Sequence, residues 1–70
     1  MSPVDELLTF LVEDTRNIAA RMAAAGYDEY EVRQAWDEAR RLGYTEATGL
    51  GQDRLTEAGR NRAIGRASSS

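Results

Sequence analysis

Residues 41–60 read RLGYTEATGLGQDRLTEAGR and hold four of the six glycines in the chain. Tyr44 and Thr45, which favour β-structure, precede the segment TGLGQ, and Leu55 and Thr56 follow it. The two glycines within TGLGQ can supply the positive φ angles of a turn. The stretch therefore predicts a β-hairpin of roughly four residues a side, rather than a slack linker.

Helical patterns precede this hairpin. Ser2 is a favourable N-cap and Pro3 suits the first helical position, and an apolar stripe with a 3.6-residue period follows them. A second helical stretch ends at Gly26, a natural stop. The join near Thr15 contains neither Gly nor Pro, so residues 4–25 could form one long helix or two; two helices are preferred.

The clearest helix lies between Tyr27 and Gly43. Asp28 and Glu31 have the spacing of a capping box, and Gly43 can close the helix at its other end. The apolar stripe of this helix predicts that Trp36 lies at the centre of the core. The other members of the stripe are Val32, Ala35, Ala39 and Leu42.

A short helix, EAGRNRAIG, is expected after the hairpin, with Thr56 as its cap. Gly59 within this helix costs up to about 1 kcal/mol relative to Ala. Its presence therefore predicts a close approach of the backbone to a neighbouring helix. Residues 1–64 are expected to form a single domain, and residues 65–70 a disordered tail.

The composition argues against several classes of protein. The chain has no Cys and no His, which removes thiolate and imidazole metal ligands and the usual general base. No glycine-rich loop has the spacing of a phosphate cradle, so we expect no enzyme, no cofactor, no metal and no small-molecule substrate. No apolar run approaches the ~20 residues that cross a bilayer, and the N-terminus lacks a basic region, so we expect a cytoplasmic protein with no membrane partner.

The net charge of −3 is unevenly distributed. Residues 1–31 carry seven acidic residues against two arginines, a net charge of −5, and residues 32–70 carry seven arginines against five acidic residues, a net charge of +2. An interaction face and chance account equally well for this asymmetry. All nine basic residues are Arg, which suits phosphate or carboxylate binding, although a GC-rich genome would favour Arg through codon usage.

The order of elements resembles a winged helix-turn-helix domain, as found in MarR-like and PadR-like transcriptional regulators. The segments that carry the resemblance are RNIAARMAAAGYDEYEVRQAWDEARRLGYTEA at 16–47 and DRLTEAGR at 53–60. The closing RLTEAGR phrase is the most specific part. The resemblance implies a mostly α fold with a small β-hairpin: three helices, a two-stranded wing and a short C-terminal helix.

The resemblance also implies a small DNA-binding regulator. The helix from Glu29 to Leu42 would enter the major groove of double-stranded DNA, and residues 47–53 would form the wing. Arg can pair with guanine, Gln with adenine and Asp with cytosine. The implied DNA-binding residues are Tyr30, Arg33, Gln34, Asp37, Arg41, Arg54, Arg60 and Arg62.

Three features favour another function. Asp28, Glu29 and Glu31 stand where the recognition helix begins, the wing tip has no basic residue, and the pI is about 4.8. Contacts with phosphate normally dominate DNA affinity, and carboxylates oppose them. The alternative is a winged-helix-shaped protein–protein interaction module (a viral, plasmid or accessory protein) without DNA contact. An oligomerising helical bundle is a third possibility.

A homodimer is also expected. Leu7, Phe10 and Leu11 in the first helix offer more apolar surface than a small three-helix core needs. Exposed apolar patches commonly mark interfaces, so the first helix is the expected self-contact.

Overall fold

The structure is a computed structural model that describes residues 2–68, with side chains described as far as residue 65. Four helices and one two-stranded antiparallel sheet make up a mostly α fold, consistent with a winged-helix layout. The elements in chain order are α1 (Pro3–Glu13), α2 (Ile18–Ala24), α3 (Glu29–Arg41), β1 (Thr45–Glu46), β2 (Arg54–Leu55) and α4 (Glu57–Ser68). Within the described residues, no helix is both long and apolar enough to cross a bilayer.

The first two helices are separate, which confirms the preferred reading of residues 4–25. The side chain of Ser2 accepts a hydrogen bond from the amide of Asp5 at 3.3 Å and caps α1, as predicted. Helix α1 ends where Asp14 becomes extended. Asn17 then adopts a left-handed conformation, with φ of 56°, immediately before α2. This conformation turns the chain without Gly or Pro, because Asn tolerates it better than most residues.

Arg21 fastens the join between α1 and α2. Its guanidinium donates hydrogen bonds to the carbonyls of Phe10 and Arg16, both at 2.9 Å, and to the carbonyl of Asp14. The same guanidinium lies 4.9 Å from the centre of the Phe10 ring. Arg21 therefore covers the ring of Phe10, which also packs against the core.

Helix α3 is capped at both ends as the sequence predicts. The carboxylate of Asp28 accepts from the amide of Glu31 at 2.8 Å, and the carboxylate of Glu31 accepts from the amide of Asp28 at 3.1 Å. At the other end, Gly43 has a φ of 81°, and the next amide, of Tyr44, donates to the carbonyl of Ala39 at 2.8 Å. These bonds satisfy backbone groups that the helix ends would leave free.

The hairpin is confirmed, but its strands are shorter than expected. Thr45 pairs with Leu55 and Glu46 with Arg54, so each strand has two residues rather than about four. The ladder ends before Asp53, whose carboxylate pairs with Arg40 of α3. Residues 47–53 then form a long connecting loop, which coincides with the predicted wing.

Gly59 lies where α4 meets the start of the hairpin. A Cβ added at Gly59 would overlap the carbonyl oxygen of Tyr44 and lie 2.9 Å from Cδ1 of Leu55. The predicted close approach is therefore confirmed, although the neighbour is hairpin backbone rather than a helix. Thr56 caps α4, since its hydroxyl accepts from the amide of Gly59 at 3.1 Å.

Helix α4 is longer than the sequence predicts. Its last residue is Ser68, so residues 65–68, which the sequence analysis assigned to a tail, belong to the helix. Residues 69–70 of the expected tail lie outside the described residues. The extra turn follows from the absence of Pro or an αL glycine after Ile64, since Gly65 keeps a helical conformation.

The core is built around α1, which contacts all three other helices. Leu7, Leu8 and Met22 are its largest fully buried side chains. The prediction that Trp36 forms the core centre is wrong: Trp36 is half-buried at the margin. Helix α3 faces the core through the small side chains of Ala35 and Ala39 instead, which lets it approach closely and leaves Trp36 on its flank.

Two further expectations about apolar surface are wrong. Leu7 and Leu11 are buried inside the monomer, so the first helix does not present them for a dimer contact. Helices α2, α3 and α4 together cover α1. The expectation assumed a core of three helices and did not include the surface of α1 that α4 covers. Leu42, assigned to the buried stripe, is exposed, because it is the C-cap residue where α3 ends.

Candidate nucleic-acid interface

The exposed side of α3 carries the predicted base-reading residues. The five side chains are all exposed and recur at helical spacing, opposite the buried Ala35 and Ala39. Tyr30 is 69% exposed, an unusual state for a side chain of this size. The structure therefore brings five of the eight predicted DNA-binding residues onto one surface: Tyr30, Arg33, Gln34, Asp37 and Arg41.

Most of these side chains have no polar partner among the described residues. Among the described residues, no hydrogen bond or ion pair engages the side chains of Tyr30, Gln34, Asp37 or Arg41. Arg33 is different, since its guanidinium lies 3.7 Å from the carboxylate of Glu29, one turn earlier. Both partners of this pair are highly exposed, so the pair contributes little to stability and can open for a ligand.

A bidentate ion pair fixes α3 to the loop at residues 47–53. Nε and Nη2 of Arg40 donate to the two carboxylate oxygens of Asp53 at 2.9 and 2.8 Å. The Asp53 side chain is only 6% exposed, while that of Arg40 is 58% exposed. This pair was not predictable from the sequence, because its two residues are thirteen positions apart and leave no local signal before the hairpin is folded.

The loop at residues 47–53 is closed by its own hydrogen bonds. The hydroxyl of Thr48 donates to the carbonyl of Gln52 at 3.2 Å and accepts from the amide of Leu50 at 3.1 Å. The side-chain amide of Gln52 donates to the carbonyl of Thr15 at 2.9 Å. Hydrogen bonds thus hold the loop to the α1–α2 connection as well as to α3, while residues 47–52 remain exposed, with Leu50 at the tip.

The three predicted phosphate-binding arginines differ in whether a carboxylate pairs with them. Nε of Arg54 lies 2.6 Å from the carboxylate of Glu46 across the hairpin, and Nε of Arg62 lies 3.2 Å from that of Asp5 in α1. Arg60 is exposed, and its side chain has no ion pair or hydrogen bond within the described part of the chain. Carboxylates therefore neutralise two of these three arginines, so they offer less positive charge than the sequence implied.

Arg62 also serves a structural purpose. Its carboxylate partner, Asp5, is buried at the first turn of α1 and accepts a hydrogen bond from the hydroxyl of Ser2 at 2.9 Å. Arg62 and Asp5 line a cavity of about 220 Å³, which Glu38 of α3 also lines. Arg62 thus faces acidic side chains and ties α4 to α1, rather than standing free for phosphate.

Among the described residues, three titratable groups have shifted pKa values, and all lie outside the exposed side of α3: Asp14, its partner Arg16, whose pKa is raised by the hydrogen bond to Asp14, and Tyr27. Hydrogen bonds from Arg16 lower the pKa of Asp14 in the α1–α2 connection. Burial raises the pKa of the Tyr27 hydroxyl, and the carboxylates of Glu6 and Glu31 raise it further. These shifts describe charge pairing and burial at helix ends, and they prepare no group on α3 for proton transfer.

The arrangement can present polar and aromatic groups to a flat or grooved partner. Within the described residues, no group of three or more acidic side chains is placed to hold a metal ion. No protein-family model, no curated protein and no solved structure matches the chain.

Proposed function

We propose that the protein is a small DNA-binding regulator of the winged helix-turn-helix kind, similar to MarR-like and PadR-like proteins, in which α3 enters the major groove. One observation carries the proposal. Tyr30, Gln34, Asp37 and Arg41 stand exposed along one side of α3 without partners in the described chain, while α3 itself is held at both ends and by Arg40. A fixed helix with free polar side chains suits base reading, because binding then orders few groups.

The spacing of the two arginines on this side of α3 fits a groove. Arg33 and Arg41 are eight residues apart, about 12 Å along the helix axis at 1.5 Å per residue. Arg can form two hydrogen bonds to guanine, and Gln34 can do the same with adenine. Tyr30 can pack on a sugar or base, and Asp37 can accept a hydrogen bond from cytosine.

The charge of the chain sets the expected strength of binding. Arg41 and Arg60 are the candidate cations without a carboxylate partner in the described residues, so about two phosphates would be neutralised. Two contacts give a slope of log K against log salt of about −2, which is shallow for a DNA-binding domain. The proposal therefore predicts weak, salt-tolerant binding by a cytoplasmic protein, with base contacts supplying much of its preference.

Fluorescence anisotropy with a library of mixed duplexes at about 50 mM salt tests this proposal. Arg41→Ala should weaken binding about 5- to 150-fold, as a loss of about 1–3 kcal/mol implies. Arg16→Ala is the matched control, because Arg16 is also exposed but pairs with Asp14 in the α1–α2 connection. Equal losses from the two variants would mean that only overall charge matters, and α3 would have no special role.

A protein–protein interaction module is the second candidate function. It is favoured by the carboxylates that neutralise Arg33, Arg54 and Arg62, and by the fully exposed Leu50 at the loop tip. DNA offers phosphates that need free cations, whereas a protein partner can use apolar and neutral polar groups. No detectable complex with any duplex at about 50 mM salt and high micromolar protein would favour this second function.

A further inference from the structure

A cleft lies between α2, α3 and the loop at residues 47–53. Its volume is about 340 Å³, and Ile18, Ala19 and Trp36 give it an apolar floor. Arg40 and Asp53 line another part of the cleft, but each neutralises the other through the bidentate pair. An apolar side chain entering the cleft would therefore bury no unpaired charge, so the cleft is suited to an apolar guest.

The loop beside the cleft carries a large apolar side chain that is almost fully exposed. Leu50 is 93% exposed, the highest value among the large hydrophobic residues that the structure describes. The hydroxyl of Thr48 and the side-chain amide of Gln52 hold the surrounding loop closed. Leu50 is thus presented by an ordered backbone, which lowers the entropy cost of placing it in a partner.

Leu50 and the cleft are neighbours, because Gly51, the next residue, lines the cleft. We propose that two copies of this chain associate about a two-fold axis, with Leu50 of each copy seated in the cleft of the other. A surface that carries both a projecting side chain and a matching cleft is self-complementary, as a two-fold contact requires. This property selects a second copy over an unrelated partner.

The exposed part of the loop carries no charge that would oppose a second copy. Each copy carries a net charge of −3, so two copies repel each other at long range. Residues 47–52 contain no charged side chain, although 30% of the whole chain is charged. Contact through the loop therefore brings together a part of the surface where like charges do not oppose one another.

This association goes beyond the proposed DNA binding and does not depend on it. The contact is small, and contacts of small area belong to the weak, transient class of interface. The dimer should therefore form and dissociate rapidly, and its population should rise with protein concentration. The side chain of Trp36, half-exposed in the cleft, should lose contact with water when Leu50 of the second copy enters.

Sedimentation velocity on the full chain between about 10 µM and 1 mM tests the association. The wild-type protein should show a mass that rises towards the dimer, with a blue shift of Trp36 emission over the same range. Leu50→Ser should remain a monomer and show no shift. Ile64→Ser is the matched control, because Ile64 is 45% exposed on α4 and does not line the cleft, and it should behave as wild type.

A complementation experiment tests the reciprocal geometry. Ala19→Arg should fill the cleft while keeping a residue that favours helix, and should be a monomer whose circular dichroism matches wild type. An equimolar mixture of Leu50→Ser and Ala19→Arg should regain a dimer, since one intact Leu50 then meets one intact cleft. A wild-type monomer at 1 mM, a Leu50→Ser variant that associates like wild type, or a mixture that stays monomeric would overturn the proposal.

Discussion

Helices α1 and α3 have similar lengths, 11 and 13 residues, and both are capped, yet they serve the fold differently. Helix α1 places Leu7, Leu8 and Leu11 in the core and contacts every other helix. Helix α3 buries only Ala35 and Ala39 and keeps its large side chains at the margin or in solvent. The amphipathic pattern of a helix therefore sets which of its sides faces the core, while side-chain size decides which helix forms the core.

The largest expected change in the free energy of unfolding distinguishes the contribution of α1 to stability from that of α3. Leu8→Ala should lower the free energy of unfolding by about 2–5 kcal/mol, because Leu8 is fully buried and its loss leaves a cavity. Trp36→Ala should cost less, since Trp36 is only half-buried. Urea denaturation followed by circular dichroism measures both. If Trp36→Ala lowered the free energy of unfolding more than Leu8→Ala does, the core would be centred on α3 and not on α1.

Gly59→Ala should have the next largest effect. The added Cβ would meet the carbonyl of Tyr44, a backbone group that cannot move aside as a side chain can. Such overpacking costs about 1–3 kcal/mol. Gly65→Ala is a matched control in the same helix, because a Cβ at Gly65 meets no atom within 4 Å among the described residues. Equal melting temperatures for the two variants would show that α4 can shift away from the hairpin.

Arg40→Gln tests whether an ion pair fixes α3 to the loop. The change leaves the buried carboxylate of Asp53 without its cation, which should cost about 1–2 kcal/mol; the partial exposure of Arg40 keeps the value low. Hydrogen exchange should quicken at residues 47–53 and stay unchanged in α1. Arg41→Gln, one position along, serves as the control and should leave both measurements as in wild type.

The smallest effect is expected where α3 leads into the hairpin. The hydroxyl of Thr45 is buried and has no hydrogen-bond partner within the described residues. Thr45→Val has nearly the same shape, removes the unpaired group and suits a β-strand, so stability should rise by about 1 kcal/mol. A higher melting temperature is the expected result, and a lower one would reveal a partner for this hydroxyl.

Local features were predictable from the sequence because both partners lie within a few residues of each other. Ser2 and Asp28 form the expected caps, and Gly43 ends α3. The hairpin and the role of Gly59 followed from turn chemistry and from the cost of Gly in a helix. The length of the strands was not predictable from the sequence, because the ladder ends before Asp53, whose carboxylate pairs with an arginine on another element.

Contacts between distant residues were beyond sequence reasoning. Arg21 reaches the carbonyl of Phe10 across eleven positions, and Gln52 reaches that of Thr15 across thirty-seven. A single sequence carries no signal for such pairs before the fold is known. The exposed side of α3 was predictable from periodicity, but the carboxylates that neutralise Arg54 and Arg62 were not, since they lie on other elements.

We propose that the exposed side of α3 contributes little to stability and binds DNA. The triple variant Tyr30→Ala, Gln34→Ala, Arg41→Ala tests it most directly, with unfolding and duplex binding measured on the same sample. The account predicts a free energy of unfolding within about 1 kcal/mol of wild type and no measurable binding to duplexes that the wild type binds. A loss of several kcal/mol in stability, or unchanged duplex binding, would contradict it.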